Sequence, residues 1–93
     1  MMQQLQQRLH KAQEELAQAT VETSVGGGMV TVVMSGDQKL VSIKISPDVV
    51  DPEDIGMLED LIVAGVNEGL AASQEMATKR LSAITGGLKL PGM

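Results

Sequence analysis

The chain has 93 residues, no cysteine and no Phe, Tyr or Trp, and it carries seven basic residues against twelve acidic ones for a formal net charge of −5. That length fits one small domain, and the missing thiols exclude a disulfide frame, thiolate catalysis and a Cys-based zinc site. The N-terminus is glutamine-rich rather than apolar and no apolar run is long enough to span a bilayer, so neither a signal peptide nor a membrane segment is expected.

The first segment, residues 1–19, reads as a helix. Met2, Leu5, Leu9, Ala12, Leu16 and Ala19 recur at alternating spacings of three and four, a stripe of the coiled-coil type. Gln3, Gln4, Gln6, Gln7, Arg8, Lys11, Gln13, Glu14 and Glu15 occupy the rest of its surface. The stripe packs either on the chain's own domain or on a partner's helix, and the pattern alone does not choose.

From Thr20 the period changes to two. Val21, Thr23 and Val25 alternate with Glu22 and Ser24, then Val30, Val32 and Met34 with Thr31, Val33 and Ser35, then Val41, Ile43 and Ile45 with Ser42, Lys44 and Ser46. Gly26-Gly27-Gly28 and Ser35-Gly36-Asp37-Gln38 supply the two turns, so residues 20–46 form an antiparallel meander with one apolar face that needs helices to cover it. The triple glycine lacks the spacing of a phosphate loop and joins two strands instead of opening a helix, which makes it a hairpin turn.

Ser46-Pro47-Asp48 and Asp51-Pro52 end the sheet and redirect the chain. Asp51 reads as the cap of a long helix over 52–84, with Pro52 at its first position and Glu53 and Asp54 at the positive end of the dipole. Thr85-Gly86-Gly87-Leu88 would stop it, and a flexible tail over 85–93 follows. At about 1.5 Å per residue such a helix is roughly 50 Å long, against a radius of gyration near 13 Å for a compact domain of this size, so it is expected to project as an arm. Leu58, Leu61, Ile62, Gly65, Val66, Gly69, Leu70, Ser73, Met76, Ala77, Arg80, Leu81 and Ile84 fall at helical spacings. Gly65 and Gly69, four apart, point to close approach by a neighbour, either the sheet or a partner's helix. The fold class is α+β. A core without aromatic rings is marginal, its seven methionines serve as adaptable filler, and association with a second copy would enlarge it.

No enzymatic constellation is present. His10 is the lone histidine, on a polar helix face, so a histidine-based metal cluster cannot form within one chain. Asp51, Glu53 and Asp54 are explained by helix capping, Glu59-Asp60 lacks an acid–base partner, and Ser73 and Ser82 lack an activating group. The chain is not expected to be an enzyme and needs no cofactor, metal or small-molecule substrate.

The order helix, three-stranded meander, long helix, together with the triple glycine, Asp51-Pro52-Glu53-Asp54, the run from Met57 to Leu70 (MLEDLIVAGVNEGL) and Thr85-Gly86-Gly87-Leu88, resembles the YbaB/EbfC family of bacterial nucleoid-associated proteins over nearly the whole chain. The resemblance implies a tweezer-like homodimer whose helices project from a joined β core. It also implies binding to double-stranded DNA in the cytoplasm, at the nucleoid, without catalysis and with weak or variable sequence preference, and with roles in chromosome organisation and gene regulation.

The net charge opposes DNA binding unless charge is segregated. Glu53, Asp54, Glu59, Asp60, Glu68 and Glu75 load the start and middle of the long helix, whereas Lys79 and Arg80 lie near its end and Lys89 in the tail. Arg8 and Lys11 lie a turn apart on the first helix. Family DNA binding belongs to the projecting helices, so Arg8, Lys11, Lys79, Arg80 and Lys89 are the residues that would inherit it. Each is otherwise an ordinary solvated charge, and Lys79 and Arg80 suit a helix C-terminus on dipole grounds alone. Lys39 and Lys44 are secondary contacts at most. Where relatives often carry lysines in the first helix, this chain has Gln3, Gln4, Gln6 and Gln7, which donate to phosphate without releasing counterions. The lack of aromatic rings disfavours single-stranded nucleic acid. The alternative is an acidic dimeric adaptor that binds another protein through apolar helical surfaces; cations gathered on the arms favour DNA, and dispersed cations with exposed Leu and Met favour a protein partner.

Overall fold

The structure, a computed structural model, describes residues 2–85. Apart from Thr85, the tail expected over 85–93 lies outside the described residues, and so do Lys89 and the two glycines expected to stop the long helix. The described elements are α1 (Met2–Gln18), β1 (Thr20–Val25), β2 (Val30–Ser35), β3 (Leu40–Ile45), a single 3-10 turn (Pro47–Val49) and α2 (Ile55–Thr85). This is the α+β order expected from the period changes, and the strands form one antiparallel sheet in the order β1-β2-β3.

Register follows the alternation. Val21↔Met34, Thr23↔Val32 and Val25↔Val30 pair across β1 and β2, and Val30↔Ile45 and Val32↔Ile43 across β2 and β3. The inner face therefore carries Val21, Val25, Val30, Val32, Met34, Ile43 and Ile45, whereas Val33 lies on the outer face opposite Glu22 and Ser42, where the Ser24 and Thr31 hydroxyls also meet at 2.8 Å. Val41, expected beside Ile43, falls instead at a register shift that pairs Leu40 with Met34, and it is exposed. The three glycines of the first turn all adopt positive φ, at 63°, 67° and 93°, a run that residues bearing a Cβ could not follow without strain. In the second turn Gln38 takes the left-handed conformation, and the register shifts at Val33/Met34 where β3 enters the sheet.

Helix α2 covers the inner face. Val30 and Val32 are fully buried and Met34 nearly so, with Val21, Val25, Ile43, Leu61, Val66 and Leu70 packed around them. Gly65 and Gly69 answer the question left open by their spacing: the close neighbour is the chain's own sheet. A Cβ at Gly65 would lie 3.0 Å from Val32 Cγ2, and one at Gly69 3.0 Å from Val32 Cγ1 and 3.3 Å from Thr23 Oγ1. One turn on, the buried Ser73 hydroxyl donates to the Ser35 carbonyl at 2.5 Å, pinning α2 where the sheet ends. Of the residues expected on the packed stripe of α2, all but the exposed Arg80 are buried or half-buried.

The start of α2 lies three residues later than the capping signature predicts. The Asp54 N–H donates to the Asp51 carbonyl at 3.0 Å, closing a tight turn instead of a helical one, and the Asp51 carboxylate accepts from Glu53 N–H at 3.0 Å. The helix cap is Asp54, whose Oδ1 accepts from Met57 N–H at 3.3 Å. Asp54→Ala is expected to cost about 1 kcal/mol in chemical denaturation, and Glu53→Ala, with no capping bond to lose, close to nothing.

The 31-residue α2 is about 46 Å long at 1.5 Å per residue and outruns the sheet. Beyond Ser73 it is accompanied by α1, whose Ala12 and Leu16 are buried and whose Leu5 and Leu9 are half-buried, as is Ala19 one residue past its end, while Met2 is exposed. The two helices run antiparallel: Leu16 lies by Met76 beside Gly36, and Gln13, Leu16, Ala77 and Leu81 border one shallow groove. The stripe on α1 thus packs on its own chain, and the molecule measures 60 × 24 × 16 Å, with a helical hairpin as its arm.

Candidate nucleic-acid interface

The arm consists of α1 and the part of α2 from Ser73 onward. Its described residues hold four cations, Arg8, Lys11, Lys79 and Arg80, against three carboxylates, Glu14, Glu15 and Glu75, whereas residues 19–72 hold two cations against nine carboxylates. The negative charge of the chain therefore sits on the sheet and the start of α2, and the arm is close to neutral with a cationic excess.

The four cations are not equivalent. Arg80 Nη1 donates to Glu15 Oε2 at 3.2 Å, tying α2 to α1 across the arm. Lys79 Nζ lies 3.1 Å from Glu75 Oε1, one turn back on the same helix. Both pairs are largely exposed, so each is weak, and a phosphate can compete for the cation. Arg8 and Lys11 have no ion-pair partner among the described residues. They follow each other at a spacing of three on α1, with Glu15 four positions further on, so one side of α1 presents two free cations and then the Glu15–Arg80 pair. Among the secondary candidates, Lys39 lies 3.9 Å from Asp37, and Lys44 stands opposite Thr31 on the outer face of the sheet.

Residue-by-residue reading missed the carboxylates that hold the α2 cations. The spacing of four between Glu75 and Lys79 was a local signal for one of them. No local signal existed for the other, since Glu15 and Arg80 meet only through the register of α1 on α2. His10, read as a surface histidine, lies 2.9 Å from Glu14 on the exposed side of α1. The carboxylates that might have suggested chemistry, Asp51 and Asp54, are engaged with backbone N–H groups. Among the described residues no group of His, Asp and Glu is placed to hold a metal ion, and no helix is long and apolar enough to cross a membrane.

A second surface is formed by β3 and the first half of α2. Of the eight exposed large apolar side chains among the described residues, seven fall between Leu40 and Val63: Leu40, Val41 and Ile45 on β3, Val50 after the 3-10 turn, and Ile55, Met57 and Val63 on the first half of α2. β3 is an edge strand, so its outer backbone groups are unpaired in the single chain.

The model of the YbaB/EbfC DNA-binding family matches residues 1–88. A nucleoid-associated protein of Syntrophobacter fumaroxidans is 57% identical over 89 residues, 96% of this chain and 81% of that protein. A nucleoid-associated protein of Moorella thermoacetica is 57% identical over 82 residues, 88% of this chain and 79% of that protein. The crystal structure of an uncharacterized protein from Helicobacter pylori has the same fold, with a TM-score of 0.80 over 91% of this chain and 89% of that one, at 21% sequence identity.

Proposed function

The chain belongs to the YbaB/EbfC DNA-binding family, whose members are not enzymes, and on that premise we propose that it is a nucleoid-associated protein that clamps double-stranded DNA as a homodimer, its two arms forming a tweezer. The observation that carries this reading is the segregation of charge. The arm is the one large element of the described chain where cations outnumber carboxylates, and Arg8 and Lys11 stand on it unpaired. Duplication turns four described cations into eight, facing a phosphate lattice with one charge per roughly 1.7 Å of duplex axis. Lys89, outside the described residues, is proposed as a further phosphate contact.

The apolar surface supports the dimer. Leu40, Val41 and Ile45 on an edge strand, with Val50, Ile55, Met57 and Val63, form a large exposed apolar population for a chain of this size, and none belongs to α1 or to α2 beyond Ser73. A second copy covering this region would enlarge a core that lacks aromatic rings and would leave both arms free. In that setting the protein works in the cytoplasm at the nucleoid, and bridging or bending of duplexes by paired arms would influence chromosome organisation and transcription.

The test is a titration of a fluorescent duplex at several salt concentrations, with molar mass measured by light scattering in the same buffer. A dimer whose affinity falls steeply with salt is the expected result. A folded monomer would remove the tweezer. A folded dimer with no affinity for duplex even at low salt would leave the apolar surface as the better guide and favour the acidic adaptor.

A further inference from the structure

The cations explain attraction to a duplex but leave the most unusual feature of α1 without a task. Gln3, Gln4, Gln6 and Gln7 occupy its first two turns, all exposed, and none of their amides is hydrogen-bonded within the described chain. Gln3, Gln6, Gln7, His10, Lys11 and, at its sheet end, Glu14 border one open depression, and Gln4, Gln7, Arg8 and Lys11 border the next. The free cations are thus interleaved with free amides on the same solvent face, opposite the stripe that packs on α2.

We propose that this glutamine face of α1 enters the major groove and reads adenine. The inference rests on the DNA-binding reading above and adds to it a base preference and the residues that set it. A helix with side chains is about 10–12 Å across, which matches a major groove about 12 Å wide. A glutamine amide offers one donor and one acceptor side by side, the complement of adenine N6–H2 and N7, and no other base presents that pair in the major groove. Gln3 and Gln7 are one turn apart, about 6 Å along the helix, which spans roughly two base steps at 3.4 Å each.

Charge fixes which end of α1 goes in. Glu14 and Glu15 stand at the sheet end of the helix and are repelled by phosphate, while Arg8 and Lys11 lie together on one side of the glutamines and reach the strand along that side of the groove. The positive end of the α1 dipole is also at the glutamine end. Phosphate contacts by Arg8 and Lys11 would set position, and the glutamines would supply the sequence information that phosphate contacts lack.

The experiment starts by selecting duplexes from a library with a randomised core, using the full-length protein. It then measures competition between the selected duplex and a G·C-rich duplex of equal length. Wild type is expected to select adenine-containing sites and to prefer them about tenfold, the scale of one bidentate amide contact. Gln3→Ala with Gln6→Ala and Gln7→Ala should abolish the preference, bringing the selected duplex level with the G·C-rich one, while the salt slope stays unchanged because an amide releases no counterion; these exposed helical positions tolerate alanine. Replacing the adenines with 7-deazaadenine, which removes N7 in the major groove alone, should abolish it equally. Duplex binding without any selected sequence, or a preference that survives the alanines or the 7-deaza substitution, overturns the inference and leaves DNA binding standing. No affinity for any duplex overturns the DNA-binding reading and this inference with it.

Discussion

Replacing Arg8, Lys11, Lys79 and Arg80 with glutamine is expected to lower affinity for duplex DNA at least about 100-fold at low salt and to flatten its salt dependence. Each phosphate neutralised contributes about −0.9 to the slope of log K against log salt, so eight engaged cations in a dimer would give a slope near −7. The quadruple variant should keep a slope no steeper than about −2, the share of two copies of Lys89, because the remaining described cations, Lys39 and Lys44, lie on the acidic sheet portion. The two halves of the variant should not contribute equally. Arg80 must leave Glu15 and Lys79 must leave Glu75 before either meets a phosphate, whereas Arg8 and Lys11 have no such partner to release. Arg8→Gln with Lys11→Gln should therefore cost more affinity than Lys79→Gln with Arg80→Gln. Glu15→Gln removes a repelling charge and frees Arg80, and it is expected to raise affinity severalfold. Filter binding or fluorescence anisotropy across a salt series, with circular dichroism to verify helix content, reads all of these. Equal losses from the two pairs would mean that the ion pairs do not hold their cations back, and an unchanged affinity in the quadruple variant would remove the arm as the DNA site.

The fold was legible wherever a repeat of two or of alternating three and four could be followed. Val30, Val32 and Met34 could be assigned to one face because each alternates with a more polar or less buried neighbour, and Ala12 and Leu16 because they share a stripe with Leu5 and Leu9. The start of α2 was less so, because Asp51-Pro52-Glu53-Asp54 contains two residues equally able to cap. Hydrogen bonding decides it: the Asp51 carbonyl is taken by Asp54 N–H in a tight turn, which delays the helical ladder until Asp54. Gly65 and Gly69 signalled a close neighbour without naming it, since a gap left by two missing side chains fits a strand or a helix. Of the candidate site, the positions of the cations were legible and their state was not. Arg80 is held by a residue 65 positions away, a relation that depends on how α1 is seated along α2.

Gly36 shows how that seating is enforced, and Gly36→Ala is expected to be among the most damaging single substitutions in the chain. In the sequence this glycine looked like ordinary turn chemistry. In the structure it lies beneath the end of α1: its N–H donates to the Ala19 carbonyl at 2.9 Å, and a Cβ on it would stand 2.5 Å from the Leu16 carbonyl oxygen, 2.9 Å from Leu16 Cδ2 and 3.0 Å from Met76 Cε. The methionine tip can swing aside, but the carbonyl oxygen belongs to the backbone of α1 and moves only if the helix does. Forcing a methyl group into such a contact costs about 3 kcal/mol, at the upper end for overpacked sites. In a domain of this size each kcal/mol shifts Tm by about 4–8 °C, so thermal unfolding should begin more than about 10 °C lower. Trimming the flexible neighbour should not help: Gly36→Ala with Met76→Ala is expected to recover little, since the obstacle is main chain. A Tm within about 2 °C of wild type, or full rescue by the methionine change, would mean that α1 is not held at this distance. If α1 instead tilts to relieve the clash, Arg8 and Lys11 swing with it, and DNA affinity should fall even where the protein remains folded. The same backbone contact then sets both the stability of the chain and the direction of its arm.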